Sequence, residues 1–159
     1  EVCALQWKEI DLEKRVLTVS KTIQRVQCRT GSKQTKLIIT EPKSESSKRT
    51  IPIPDCLLPL LRRFKDNGEV YVVSGRKKPV EPRTMQYRFA KILHNADLPS
   101  FHYHSLRHLF ATRCVELGFD VKTLSEILGH SSVEVTLNRY IHSDMERKRT
   151  CMSLLSKCA

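Results

Sequence analysis

A chain of 159 residues is long enough for one domain with a buried core and too short for two of ordinary size. Its 28 Lys and Arg against 17 Asp and Glu give a formal charge of +11, a field that draws polyanions, so DNA, RNA or an anionic membrane are the partner classes to weigh. No apolar run approaches the roughly 20 residues of a membrane-spanning helix, the opening segment lacks the apolar stretch of a signal peptide, and no repeat or low-complexity tract is present. A soluble, cytoplasmic protein is the expectation. The six cysteines include no CxxC pair, and most sit in apolar patterns such as Cys56-Leu57-Leu58 and Cys114-Val115, which points to small core hydrophobes rather than disulfides or a metal site.

In chain order, Val2, Ala4 and Leu5 read as the tail of a helix. Alternation from Val16 to Val26 predicts one or two strands, and the β-branched run at residues 36–40 another. Pro42 to Ser47 is turn material before extended character resumes at 49–53, so these segments together predict an antiparallel hairpin with Lys43 near its tip. Asp55 is the expected N-cap of a helix carrying Leu57, Leu58, Leu60, Leu61 and Phe64, followed by a short strand at Val70 to Val73 and a basic loop, Gly75 to Pro79. A helix from about Thr84 to His94 is expected to bury Met85, Phe89, Ile92 and Leu93. Another, from His104 to Leu117, carries Leu106, Leu109, Phe110, Cys114 and Val115 and stops at Gly118. Asp120 caps the next, with Val121, Leu124, Ile127 and Leu128 inward and Gly129 as its stop. Ser131 with Glu134, and Ser143 with Glu146, have capping-box spacing and predict two further short helices. The fold class is α+β: mainly helical, a helical bundle with a small three-stranded antiparallel sheet near the N-terminus.

The chemistry-bearing residues are His104-Ser105-Leu106-Arg107-His108, then Leu128-Gly129-His130, then Tyr140 ten residues later, with Lys43 upstream. This ordered set resembles the H-x-x-R-H, L-G-H and tyrosine pattern of the tyrosine recombinase (phage integrase) family. The similarity runs through nearly the whole chain, since Glu1 to Asp11 (E-x-x-x-L-x-W-x-x-I-D) resembles the segment that follows the family's first active-site arginine. A tyrosine suits phosphodiester exchange because its phenol, with a pKa of about 10, can be deprotonated by a neighbouring base and can depart again when a sugar hydroxyl attacks. A phosphotyrosyl link preserves the bond energy, so no cofactor, ATP or metal is called for. The extra negative charge of the phosphorane suits a planar guanidinium, which fits Arg107. His104 and Arg107, three apart, share a face near a helix N-terminus, where free backbone N–H groups also favour an anion.

The resemblance implies further roles. Tyr140 is the nucleophile, His104 assists proton transfer, His130 donates to a nonbridging phosphate oxygen, and Lys43 is the general acid for the departing 5′ oxygen, with Lys48 on the same turn as the alternative. It also implies double-stranded DNA as partner, four protomers on two duplexes, and a bacterial, phage or mobile-element origin. The C-terminal stretch carrying Met145, Met152, Leu154 and Leu155 packs on its own core or on a neighbouring protomer, a choice the sequence leaves open. Because the first arginine of the pattern would stand a few residues before Glu1, the reading is of a single catalytic domain truncated at its N-terminus, with DNA binding but no cleavage expected of the 159 residues alone.

Arg83, Thr84, Gln86, Tyr87 and Arg88 open a predicted helix after the basic loop and suit entry into a major groove with flanking phosphate contacts, or form only a charged face. Rival readings are a non-catalytic DNA-binding or regulatory integrase fragment and a metal-dependent nuclease using His102, His104 and His108. The second is weakened because residues 102 and 104 cannot share a helix face. A type IB topoisomerase shares the chemistry, but the compact L-G-H spacing looks more like integrases.

Overall fold

The computed structural model describes residues 1–27, 35–41, 47–66 and 68–140, together with 145, 148, 149, 152 and 153. Five strands come first: β1 (Ile10–Asp11), β2 (Val16–Val19), β3 (Thr22–Gln27), β4 (Thr35–Thr40) and β5 (Arg49–Pro52). They form two antiparallel units. One is a three-stranded sheet in the order β1-β2-β5, with Ile10 opposite Leu17 and Leu17 opposite Ile51; the other is the two-stranded β3-β4 ribbon, with Ile23 opposite Ile39. The expected hairpin is therefore corrected. β4 pairs with β3 and β5 with β2, so β4 and β5 do not form a hairpin with each other; Lys43 lies outside the described residues.

The opening segment is a 3-10 turn, Val2–Ala4, not a helix tail, and it buries Cys3 and Ala4 while Val2 is exposed. The chain then runs beside residues 68–72: Trp7 N–H donates to Val70 O (3.0 Å) and Val72 N–H to Leu5 O (2.9 Å). These bonds take the place of the strand expected at 70–73, where Tyr71 makes only isolated bridges to Gln6 and Arg76. Buried Gln6 locks this corner, donating to Glu69 O (3.1 Å) and accepting from Lys21 Nζ (3.2 Å). Asp55, expected as a cap, instead lies inside a 3-10 turn and pairs with Arg15 at 2.9 Å, ahead of α1 (Leu58–Arg63). Leu58 is the buried residue of α1; Leu60 and Phe64 are exposed, because the short helix turns a single residue inward.

Four longer helices follow: α2 (Pro82–Asn95), α3 (Ser105–Glu116), α4 (Val121–Leu128) and α5 (Val133–Tyr140). α2 buries Leu93, packs Met85 on Cys3, Ala4 and Ile23, and sets Phe89 edge-on to Tyr103, but Ile92 faces outward. In α3 the inward face is Ala111, Cys114 and Val115, which meet Leu124 and Leu128 of α4. Of the five apolar positions at helical spacing, Leu106, Leu109 and Phe110 are exposed, because positions spread so widely around one helix cannot share a single contact face. α4 follows its expectation closely. Asp120 accepts from Thr123 N–H at 2.8 Å, and Gly129 ends the helix in the left-handed conformation (φ 69°). α5 begins at Val133, just after the capping-box serine at 131, and the second box at 143 lies outside the described residues.

Of the cysteines, Cys3 and Cys114 are buried as expected, and burial pushes both thiols up; Cys56 is exposed, against expectation. Among the described residues no helix is long and apolar enough to cross a membrane, and no cluster of His, Cys, Asp and Glu suited to a metal ion is found.

Candidate active site

The ten-residue step from His130 to Tyr140 becomes two turns of α5 after a two-residue corner. Thr136 and Tyr140, four apart, share a face that turns back toward the α3–α4 pair. Thr136 is fully buried, and its Oγ1 lies 2.7 Å from His130 Nδ1. Tyr140 packs on the Ala111, Cys114, Val115, Leu124 and Leu128 core, with its ring parallel to that of His130 (interplanar 4°, centroids 6.3 Å apart).

The Tyr140 hydroxyl is 2.9 Å from Nδ1 of His108, a residue that the H-x-x-R-H pattern contains and that the sequence offered only as a metal ligand in the rival reading. In its Nε2–H tautomer His108 accepts the phenol proton. The His104 ring stands edge-on to His108 at 4.9 Å, so the four rings run 104, 108, 140, 130 in unbroken contact. The signal for His108 was its place four residues after His104, one helical turn on the same side.

Arg107 faces another way. Its Nη2 donates to Leu128 O, and with His104, Glu1 and Arg49 it lines a cleft of about 640 Å³ whose walls include Leu106 and Phe110. That placement is why those two apolar side chains are outside the core. Tyr140 is not among the residues lining this cleft. Of the five expected catalytic residues, then, three (His104, His130 and Tyr140) are joined through rings, His104 links them to Arg107 across the cleft, and Lys43 lies outside the described residues. Lys48 is exposed just before β5.

The expected free N–H groups at the start of α3 are not there: Ser105, Leu106 and Arg107 donate to the carbonyls of His102, Tyr103 and His104 at 2.9–3.2 Å. A bound anion in the cleft would thus be met by side chains. Glu1 shapes their field. Burial pushes its carboxyl up, but the Arg49 hydrogen bonds and charge, with Arg107 behind them, outweigh burial and hold it below the ordinary carboxylate value.

On α2, Arg83, Thr84, Gln86, Tyr87 and Arg88 are all exposed. Arg83 is pre-organised: Nε and Nη2 reach the Tyr87 hydroxyl at 3.2 and 3.1 Å, with the guanidinium 5.6 Å from the ring centroid. Arg83, Gln86 and Tyr87 line a second cleft of about 770 Å³ that ends at His104, and Gln86, Tyr103 and His104 belong to both clefts. A basic face and the histidine cluster are therefore continuous.

Residues 1–147 match the model of the phage integrase family. A tyrosine recombinase XerC-like protein of Caldanaerobacter subterraneus subsp. tengcongensis is 31% identical over 175 residues, covering 98% of this chain and 45% of that protein. Tyrosine recombinase XerA of Pyrococcus furiosus is 34% identical over 143 residues, covering 86% of this chain and 42% of its own. Among solved structures, the Tn1549 transposon integrase in complex with circular intermediate DNA superposes with a TM-score of 0.71 at 29% identity, over 97% of this chain and 54% of that one. The chain spans about half the length of the proteins it matches.

Proposed function

This chain belongs to the phage integrase family, and on that premise we propose that it carries the strand-cleaving centre of a site-specific DNA recombinase, with Tyr140 as nucleophile. The observation that carries the reading is the Tyr140 hydroxyl bonded to His108 within a run of histidine rings that ends at the Arg107 cleft. Deprotonated through the imidazoles, the phenolate attacks a backbone phosphorus, leaving a 3′-phosphotyrosine and a free 5′-hydroxyl. Arg107 meets the charge on the phosphorane, and His130 donates to a nonbridging oxygen. Lys43 delivers the proton to the departing 5′ oxygen. Attack by the partner duplex's hydroxyl reverses the chemistry without ATP or metal.

Double-stranded DNA as partner is supported by the basic α2 face, which leads to His104, and by the DNA held in the Tn1549 integrase structure. The family pattern's first arginine has no counterpart in these 159 residues, so the isolated chain is expected to bind duplex without cleaving it.

The test is a nicked suicide duplex offered to the chain with an arginine-bearing segment of a relative joined ahead of Glu1. A covalent protein–DNA adduct is expected on a denaturing gel, and Tyr140→Phe is expected to abolish it. Persistence of the adduct in Tyr140→Phe refutes the assignment. Strand cleavage that leaves no covalent adduct and is abolished by a chelator would favour the metal-nuclease rival.

A further inference from the structure

The last four carbonyls of a helix have no partner within it. In α4 these are Ser125 to Leu128, and all four are satisfied. Gly129, at φ 69°, lets His130 N–H reach Ser125 O (3.1 Å) and its own N–H reach Glu126 O (3.1 Å), the paired bonds of a left-handed C-terminal cap. The other two are met by guanidinium groups: Ile127 O accepts from Arg49 Nε at 2.7 Å, and Leu128 O accepts from Arg107 Nη2. One arginine comes from β5 and the other from α3, and both bring positive charge to the negative end of the helix.

Arg49 is held on every side. Nη1 donates to Ser47 O and to Glu1 Oε1, each at 3.0 Å, and Nη2 to Glu1 Oε2 at 2.9 Å; its side chain is only 11% exposed. A Cβ on Gly129 would stand 2.8 Å from Arg49 Nη1, so the glycine serves the guanidinium as well as the turn.

We propose that Arg49 is a positioning residue of the cleavage site: by capping Ile127 O beside Arg107 on Leu128 O, it fixes the Leu128-Gly129-His130 turn, and with it the His130 imidazole, against the sheet. The inference rests on the Tyr140 reading and adds to it a residue outside the H-x-x-R-H, L-G-H and tyrosine set. The direction in which the chain leaves α4 decides where His130 meets Tyr140, and Arg49 sets that direction. A lysine cannot replace it, because one ammonium cannot serve a helix carbonyl and grip a carboxylate with two parallel bonds.

The test runs the adduct assay on Arg49→Met and Arg49→Lys at saturating duplex, with NMR titration of His130 and amide exchange at Gly129 and His130. A misplacement of about 1 Å at a reacting group costs on the order of 100-fold in rate, and that loss is expected in both variants with duplex affinity unchanged. The His130 titration midpoint is expected to move, and the two amides to lose protection. A lower melting temperature with an unmoved His130 titration and an intact adduct rate would make Arg49 merely stabilising and overturn the proposal. Full recovery in Arg49→Lys would overturn the two-bond argument. If the parent protein, with the arginine-bearing segment joined ahead of Glu1 and Arg49 intact, forms no adduct, the cleavage reading fails instead, and the NMR measurements still decide the role of Arg49.

Discussion

Gly129→Ala puts two separate demands on one methyl group. The backbone at φ 69° is left-handed, which costs an L-residue about 1–2 kcal/mol. The new Cβ would also stand 2.8 Å from Nη1, 3.0 Å from Cζ and 3.1 Å from Cδ of Arg49, a side chain that cannot swing away without releasing Ile127 O or Glu1. Hydrogen bonds from a charged group are worth about 1.5–3 kcal/mol each, so losing one such bond brings the total to roughly 3–5 kcal/mol. At about 2–4 °C per kcal/mol for a domain of this size, the melting temperature should fall by roughly 6–20 °C. Thermal unfolding followed by circular dichroism measures this, and repeating it in an Arg49→Met background separates the two parts. There the methyl meets no pinned guanidinium, and only the backbone cost of about 1–2 kcal/mol should remain. An equal cost in both backgrounds, or a loss below about 0.5 kcal/mol in the native one, would refute the close approach of Arg49 to this turn.

Two further expectations follow from charge. The Glu1 and Asp120 carboxyls both titrate below their ordinary values when folded, Glu1 through Arg49 and Asp120 through its bonds to Thr123, so their stabilisation is complete above the unfolded pKa and is lost as pH falls through the folded one. Urea unfolding midpoints should therefore drop on the acid side from about pH 5 downward, and Glu1→Gln should flatten that slope; an unchanged slope would mean that Glu1 and Arg49 are not paired in solution. Duplex affinity should fall linearly on a log–log plot against salt, and Arg83→Ala and Arg88→Ala should each reduce the slope by about 0.9 if each contacts one phosphate. Slopes identical to the parent in both variants would remove α2 from the DNA face.

What was legible in the sequence depended on how locally each feature is determined. Asp120, Leu124, Leu128 and Gly129 specify α4 from within ten residues, and the structure follows them. The helix predicted from Ser131 and Glu134 is likewise locally specified, and α5 runs from Val133 to Tyr140, although the shared face of Thr136 and Tyr140 was not among the expectations. Non-local pairing was harder to see. The stretch 16–53 reads as extended from its β-branched residues, but nothing in it says that β5 joins β2 while β4 joins β3. Tyr71 looked like strand and became a bridge because its partner, the 5–8 segment, is a turn-rich edge more than sixty residues away. Arg49 was passed over for a similar reason: in sequence it is one of several basic residues before an isoleucine, and its importance comes from Ile127, 78 residues downstream.

α3 sets the spatial relation between the Tyr140 phenol and the Arg107 cleft. Successive residues on a helix are turned by about 100°, so Arg107 and His108 necessarily look in different directions. Arg107 looks into the cleft with Glu1 and Arg49; His108 looks toward α5 and holds the phenol. His104 belongs to both sides, since it lies one turn before His108 and also lines the cleft. A hydroxyl that exchanges His108 for a phosphate beside Arg107 therefore crosses the width of one helix face, past His104. The fixed parts of that path are the two arginines on the end of α4, while the phenol rides on the last turn of α5. Under the proposed reading, the charge of a phosphate would be met by the pinned guanidinium of Arg107, and the Tyr140 hydroxyl would have to leave His108 to reach it.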